Sequence, residues 1–105
     1  MKRCLPFVVL MVVTALTATA QAADKSAGET LYADECAQCH GREGKGMASF
    51  PSLTGRDADY IASRLETYRA GERVGANSSL MIPNATDLSD EDIANLAAYL
   101  GEQPE

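Results

Sequence analysis

Two cysteines and a histidine are grouped within a short stretch of this chain. Cys36 and Cys39 are separated by two residues, and His40, the only histidine, follows at once. This C-x-x-C-H pattern is the attachment motif of c-type haem. Two thiols three positions apart on a helical turn can each add to one vinyl group of a porphyrin, and the next residue then lies beneath the iron. The pattern therefore predicts a covalent haem c with His40 as an axial ligand.

Three other uses of this motif remain open. A structural zinc site would need four protein ligands, and the motif supplies three. A disulfide oxidoreductase would place the two cysteines beside a strand and helix of a βαβ unit, and the sequence lacks a strand-like run of β-branched residues beyond its N-terminal segment. A plain disulfide is possible in an exported protein, but it gives no reason for His40. Haem attachment is favoured because it uses all three residues.

The opposite face of the iron needs a second ligand or must remain open. Because there is no second histidine, the candidates are Met47 and Met81, whose thioether favours Fe(II) and raises the reduction potential. Met81 lies in residues 77–84, which we predict to be an irregular loop that folds over the haem, stiffened by Pro83. Met81 is favoured. Met47, in a glycine-rich loop, and a five-coordinate iron of a gas sensor or peroxidatic enzyme stay as alternatives.

The N-terminal segment has the order of a secretory signal. Lys2 and Arg3 precede an apolar run over Phe7–Leu16, and small residues end in Ala20-Gln21-Ala22, an A-x-A cleavage site. An uncleaved membrane anchor is the alternative, but about 10 apolar residues are too few to span a bilayer. We therefore expect a cleaved signal peptide over residues 1–22, a single domain over residues 23–105, and a periplasmic protein.

The charge of the chain restricts its partners. The 105 residues include 15 acidic and 9 basic side chains, for a formal net charge of −6, which becomes −8 once Lys2 and Arg3 are removed with the signal. Proteins that bind nucleic acid need a basic face, and anionic membranes repel acidic proteins. We therefore expect no nucleic acid partner and no integral membrane segment in the mature chain. The oligomeric state is left open.

Three helices are predicted from apolar spacing and end signals. The first covers residues 27–39, and Gly28 within it suggests a close approach by another helix, because glycine otherwise costs helix stability. The second covers residues 58–70, with Asp57 as its cap. The third follows Ser89, an N-cap residue succeeded by acidic residues that suit the helix dipole, and ends at Gly101 and Pro104. Its predicted buried face consists of Ile93, Leu96, Ala97 and Leu100.

The order of these segments resembles that of the small bacterial class I cytochromes c. The likeness rests on residues 36–41, residues 50–55, Met81 and residues 88–99, and extends over residues 27–101. It implies an all-α fold of three to four helices around one covalently bound haem c, and a periplasmic carrier of single electrons rather than an enzyme. Because the mature chain is acidic, we expect its redox partner proteins to have a basic docking patch. The alternative is a haem c subunit of a flavin- or quinone-linked dehydrogenase complex.

The resemblance also implies roles for particular residues. In that family the carbonyl of a proline after the haem motif accepts a hydrogen bond from the proximal histidine. Pro51 occupies the matching position, so its carbonyl is expected to orient the His40 ring. Met81 matches the distal ligand. Gly28 and Tyr32 match the first-helix residues that cross the last helix at Leu96 and Tyr99. Because the chain has no Trp, the haem propionates need other donors, for which the candidates are Tyr60, Tyr68, Arg64 and Arg73.

Overall fold

A computed structural model describes residues 23–104 as a helical domain. Between these residues there is no β-strand, only an isolated bridge between Met47 and Phe50. The all-α prediction is thereby confirmed. The predicted signal peptide over residues 1–22 lies outside the described residues. The helices are α1 Lys25–Glu35, α2 Ala37–His40, α3 Ala58–Arg69, α4 Ser78–Ala85 and α5 Asp90–Gly101.

The prediction of one helix over residues 27–39 is wrong, because the chain bends at Cys36. Helix α1 begins two residues earlier, since the Asp24 carboxylate accepts a hydrogen bond from the main-chain N–H of Ala27 at 3.1 Å. Cys36, at φ −116°, ends α1 and starts the single turn of α2. The main-chain N–H of His40 still donates to the Cys36 carbonyl at 3.0 Å. The spacing of apolar residues in the sequence could not reveal this bend. Only the backbone angles of Cys36 change, so the helical periodicity of the side chains on either side is almost unaltered.

Helices α1 and α5 cross through a glycine. A Cβ built on Gly28 would lie 2.0 Å from the carbonyl oxygen of Asn95 and 3.0 Å from the Cβ of Tyr99. The predicted close approach at Gly28 is therefore confirmed, although its nearest neighbour is the Asn95 main chain. Next to this crossing the rings of Tyr32 and Tyr99 lie 5.6 Å apart at 50°. The buried core spans α1, α3 and α5 and consists of Tyr32, Ile61, Leu65, Ile93, Leu96, Ala97 and Leu100.

Helices α3 and α5 are capped as the sequence predicts. Asp57 accepts a hydrogen bond from the Tyr60 N–H at 2.8 Å, and α3 ends one residue before the predicted limit. At the start of α5, Ser89 and Asp92 form a reciprocal capping box with two bonds of 3.0 Å. Arg69 joins the two helices, because its guanidinium donates to Asp90 at 2.8 Å and to the Leu88 carbonyl at 3.2 Å.

The segment that carries Met81 is a helix, so the prediction of an irregular loop over residues 77–84 is wrong. Helix α4 contains Pro83 within it. Proline has no N–H to donate to the carbonyl four residues earlier, that of Ser79. The Asn84 side-chain amide donates to the next carbonyl, that of Leu80, at 2.8 Å. The Ser78 hydroxyl accepts from the N–H groups of Val74 and Gly75 before the helix begins. Helix α4 packs against α3, and no helix between residues 23 and 104 has the length and apolar character needed to cross a bilayer.

Candidate haem-binding site

A cavity of about 450 Å³ brings the predicted site residues together. Cys36, Cys39, His40, Pro51 and Met81 all line it. They come from the α1–α2 bend, the loop that follows α2, and α4. The apolar part of its wall includes Phe50, Leu53, Ile61, Leu65, Val74, Leu80, Leu88, Leu96 and Leu100.

His40 is held in one orientation at the wall of this cavity. Its side chain is 5% exposed, and its Nδ1 lies 2.8 Å from the carbonyl oxygen of Pro51. This is the contact that the resemblance implies for these two residues. With Nδ1–H donating to a carbonyl, Nε2 is the nitrogen left to bind a metal, and the bond increases the donor strength of the ring.

A tight glycine loop brings Pro51 back to His40. The N–H of Gly46 donates to the His40 carbonyl at 2.8 Å, and Gly46 has a φ of 80°. A Cβ at Gly46 would lie 2.6 Å from the carbonyl oxygen of Phe50 and 2.8 Å from the Ser52 nitrogen. The Phe50 ring stands edge-on to the imidazole, with ring centroids 6.3 Å apart. Glycine is therefore required at position 46 both for its backbone conformation and for space.

The two thiols of the motif are half-buried and are not joined to each other. Burial raises the pKa of Cys36 to about 11, and the nearby Glu35 and Cys39 act in the same direction. At neutral pH the Cys36 side chain is thus a neutral thiol. A thiol of this kind can add across a vinyl group, with the sulfur bonding to one carbon and the hydrogen passing to the other, so that no oxidant is needed.

The two candidate methionines lie in different places. Met81 is half-buried in α4, lines the cavity and packs against the hydrophobic core. Met47 is 49% exposed, pairs with Phe50 in the loop and is not among the residues lining the cavity. The structure therefore brings Met81, and not Met47, to the cavity that contains His40.

Cationic and phenolic side chains line another part of the cavity. Of the suggested propionate donors, Tyr60, Arg64 and Tyr68 line it, whereas Arg73 does not. Sequence reasoning missed Arg56, whose guanidinium carbon lies 4.7 Å from the centre of the Tyr60 ring. Arg56 precedes the Asp57 cap of α3, so helical spacing could not have revealed it, whereas the spacing of four residues from Tyr60 to Arg64 places those two side chains on one face of the helix.

The side chains at the cavity fit a covalently bound haem. Two thiols, an imidazole with one free nitrogen and a thioether line one cavity whose wall is largely apolar. This donor set suits a low-spin iron porphyrin. A zinc site fits less well, because within residues 23–104 no group of three or more His, Cys, Asp or Glu side chains is arranged to hold a metal ion.

Comparison with known proteins gives the same assignment. The cytochrome c family profile matches residues 26–103. The chain is 48% identical over 83 residues to cytochrome c-554(548) of Halomonas halodenitrificans, covering 78% of this chain and 99% of that protein. It is 39% identical over 99 residues to the thiosulfate dehydrogenase electron acceptor of Stutzerimonas stutzeri, covering 85% of this chain and 43% of that protein.

The fold is also that of solved cytochromes. The crystal structure of reduced cytochrome c4 from Pseudomonas stutzeri superimposes with a TM-score of 0.65 at 33% identity, covering 75% of this chain and 47% of that one. The chain thus spans about half the length of that cytochrome c4. This chain belongs to the cytochrome c family and has the class I cytochrome c fold. It is an electron-transfer cytochrome, and members of this family carry covalently bound haem c with its iron.

Proposed function

We propose that this cytochrome carries single electrons in the periplasm, through a haem c bound to Cys36 and Cys39 and ligated by His40 and Met81. The observation that carries the proposal is the buried His40 ring, whose Nδ1 is fixed by the Pro51 carbonyl at 2.8 Å in the cavity that Met81 also lines. When bound, the haem supplies one-electron exchange between Fe(III) and Fe(II).

The residues of the chain prepare this exchange by restricting movement. The Pro51 carbonyl prevents the imidazole from rotating, and helix α4 holds the Met81 side chain against the core. Apolar side chains around the cavity exclude water, so little solvent must reorganise when the charge on the iron changes. Ligation of the iron by both His40 and Met81 would leave no open position for a substrate, which favours a role as an electron carrier over one as an enzyme.

A redox titration of the exported protein tests the proposal. We expect a single reversible one-electron transition, a low-spin spectrum in both states, and no binding of carbon monoxide unless Met81 is displaced. A high-spin spectrum with free binding of carbon monoxide would contradict the His40 and Met81 ligation and would favour a five-coordinate sensor or peroxidatic enzyme.

The partner is proposed to be a redox protein with a basic docking patch. The full chain has a formal net charge of −6, which becomes −8 when Lys2 and Arg3 are removed with the signal peptide. This negative charge would attract a partner protein with a basic surface. Redox encounters of this type use small, weak interfaces. The rate of electron exchange should therefore fall as salt is added from about 0.01 M to about 0.15 M. A rate that is independent of salt would contradict this part of the proposal.

A second candidate is a haem subunit of a dehydrogenase complex. It is favoured by one observation, the 39% identity to a protein named as a thiosulfate dehydrogenase electron acceptor. The chemistry at the haem would be the same, and only the partner would differ. Size-exclusion chromatography of the native protein separates the two, because a free carrier elutes alone whereas a permanent subunit elutes with its complex.

A further inference from the structure

One buried serine connects the helix that carries Met81 to the chain before it. The Ser78 hydroxyl oxygen accepts hydrogen bonds from the main-chain N–H groups of Val74 at 2.9 Å and of Gly75 at 2.8 Å. Ser78 is 4% exposed and lines the haem cavity. Met81 lies three residues later in α4, so the two side chains are neighbours on one side of the helix. We refer to the two hydrogen bonds to the Ser78 oxygen as the Ser78 latch.

Helix α4 has few restraints of its own. Asp24, Asp57 and Ser89 accept main-chain hydrogen bonds through their side chains at the starts of α1, α3 and α5. Asn77 forms no such bond at the start of α4. Pro83 removes one main-chain hydrogen bond from this helix of eight residues. Because so short a helix is unstable by itself in water, contacts outside it must hold it in place.

The loop before α4 would move easily without the latch. Residues 70–77, which join α3 to α4, are all exposed. Water can replace the hydrogen bonds of exposed amides, so a shift of this loop alone would cost little. Breaking the latch, in contrast, takes both donors away from an oxygen that is buried, which is costly. The latch therefore opposes a shift of α4 relative to this loop.

We infer that the Ser78 latch holds Met81 at the haem iron, so that Ser78 is a positioning residue that limits how readily the thioether leaves. This inference rests on the proposed ligation by His40 and Met81, and adds the residue that regulates one of these ligands. A latch that opposes movement of α4 lowers the fraction of protein in which the thioether has left the iron. An external ligand binds only this open fraction, so its apparent affinity reports the strength of the latch.

A titration of the oxidised holoprotein with imidazole measures the open fraction. Imidazole displaces Met81 and removes the weak band at the red end of the spectrum. Ser78→Ala removes the oxygen that accepts from Val74 and Gly75. Loss of hydrogen bonds of ordinary strength should raise the open fraction, and with it the affinity for imidazole, by about tenfold. Without imidazole the variant should keep the red band, because Met81 remains the main ligand.

Two serine variants serve as controls. Ser79→Ala is the matched control, because Ser79 is the next residue of α4, is exposed and does not line the cavity. Ser89→Ala controls for a general loss of stability, because it weakens the start of α5, which does not carry Met81. Both should bind imidazole as the wild type does. The inference is overturned if Ser78→Ala behaves like Ser79→Ala, or if Ser89→Ala gains as much affinity as Ser78→Ala.

Hydrogen exchange in the wild-type protein gives a test that does not depend on the folding of a variant. Val74 and Gly75 are exposed residues, but their amides should exchange slowly because they are bonded to the buried Ser78 oxygen. Coupling between two sites is reciprocal, so imidazole bound in place of Met81 should speed the exchange of both amides by the same factor of about ten. The Ile93 amide, bonded within α5, should not change. Exchange of Val74 and Gly75 that is unaffected by imidazole would overturn the inference.

The wild-type spectrum separates failure of this inference from failure of the proposed function. A protein without covalent haem absorption would refute the haem attachment. A haem protein that never shows the red band would refute Met81 as the ligand. A normal band together with equal imidazole affinities of Ser78→Ala and Ser79→Ala would refute only the role of Ser78.

Discussion

Gly28 lies so close to Asn95 that a Cβ at position 28 would stand 2.0 Å from the Asn95 carbonyl oxygen. This contact sets the crossing of α1 and α5, and α1 carries the chain into the haem motif. Because the clash would be with main chain, it cannot be relieved by a side-chain rotation, and the helices must separate.

Gly28→Ala should therefore destabilise the protein by about 3 kcal/mol or more. Chemical denaturation followed by circular dichroism measures the change. Ser26→Ala is the control, because Ser26 is an exposed residue of the same helix that does not line the cavity. We expect the control to change stability by less than about 0.5 kcal/mol. Equal stability of the two variants would show that the helices do not cross at Gly28.

Tyr32 should make the protein sensitive to alkali. Its side chain is 1% exposed, and burial, followed by the charges of Cys36 and Tyr99, raises its pKa to about 12. A pKa raised in the folded state stabilises the protein fully below the unfolded value near pH 10, and this stability is lost as pH rises toward 12. Tyr32→Phe, which also loses the 2.5 Å bond to the Gly41 carbonyl, should be less stable at pH 7 but should lose less between pH 10 and 12. Parallel stability curves for the two proteins would contradict this assignment.

Ser89 should stabilise the start of α5 through its capping box with Asp92. Ser89→Ala removes the acceptor of the Asp92 N–H and should lower the free energy of unfolding by about 1 kcal/mol. Ser63→Ala is a suitable control, because Ser63 is an exposed residue within α3. If thermal melts show the same loss for both variants, the capping box contributes nothing to stability.

Met81 should control the spin state and the potential of the iron. Met81→Ala removes the soft thioether, so the potential should fall, the weak band at the red end of the oxidised spectrum should vanish, and external ligands should bind. Met47→Ala is the control, because that side chain is 49% exposed. If the Met47 variant loses the band and the Met81 variant keeps it, the distal ligand has been assigned to the wrong methionine.

Sequence patterns predicted the elements whose signals are local. Helix α5 has an N-cap, acidic first-turn residues and a terminal glycine, so its limits and its buried face at Ile93, Leu96, Ala97 and Leu100 are confirmed. Helix α4 was missed because Pro83 is usually a helix breaker, and the packing of α4 on α3, which stabilises the helix, cannot be read from a local pattern. The bend at Cys36 was missed because it alters a single residue.

The residues of the candidate site also divide into those that a local sequence pattern predicts and those that it does not. The residues Cys36, Cys39 and His40 follow from a spacing that chemistry requires, whereas Arg56 belongs to the site only through its position over the Tyr60 ring. Asn95 was also missed, since its buried amide accepts from the Asp24 N–H at 2.8 Å across 71 residues of sequence. Contacts between distant residues depend on the folded arrangement, which no local pattern reports.

The most direct test is a mass measurement and a visible spectrum of the exported wild-type protein, made beside a competent haem-maturation system. We predict the mass of residues 23–105 plus one haem, together with a low-spin c-type spectrum. The Cys36→Ala, Cys39→Ala double variant should show the mass of the polypeptide alone. A wild-type protein that is colourless and has only the polypeptide mass would contradict the covalent attachment of haem to Cys36 and Cys39.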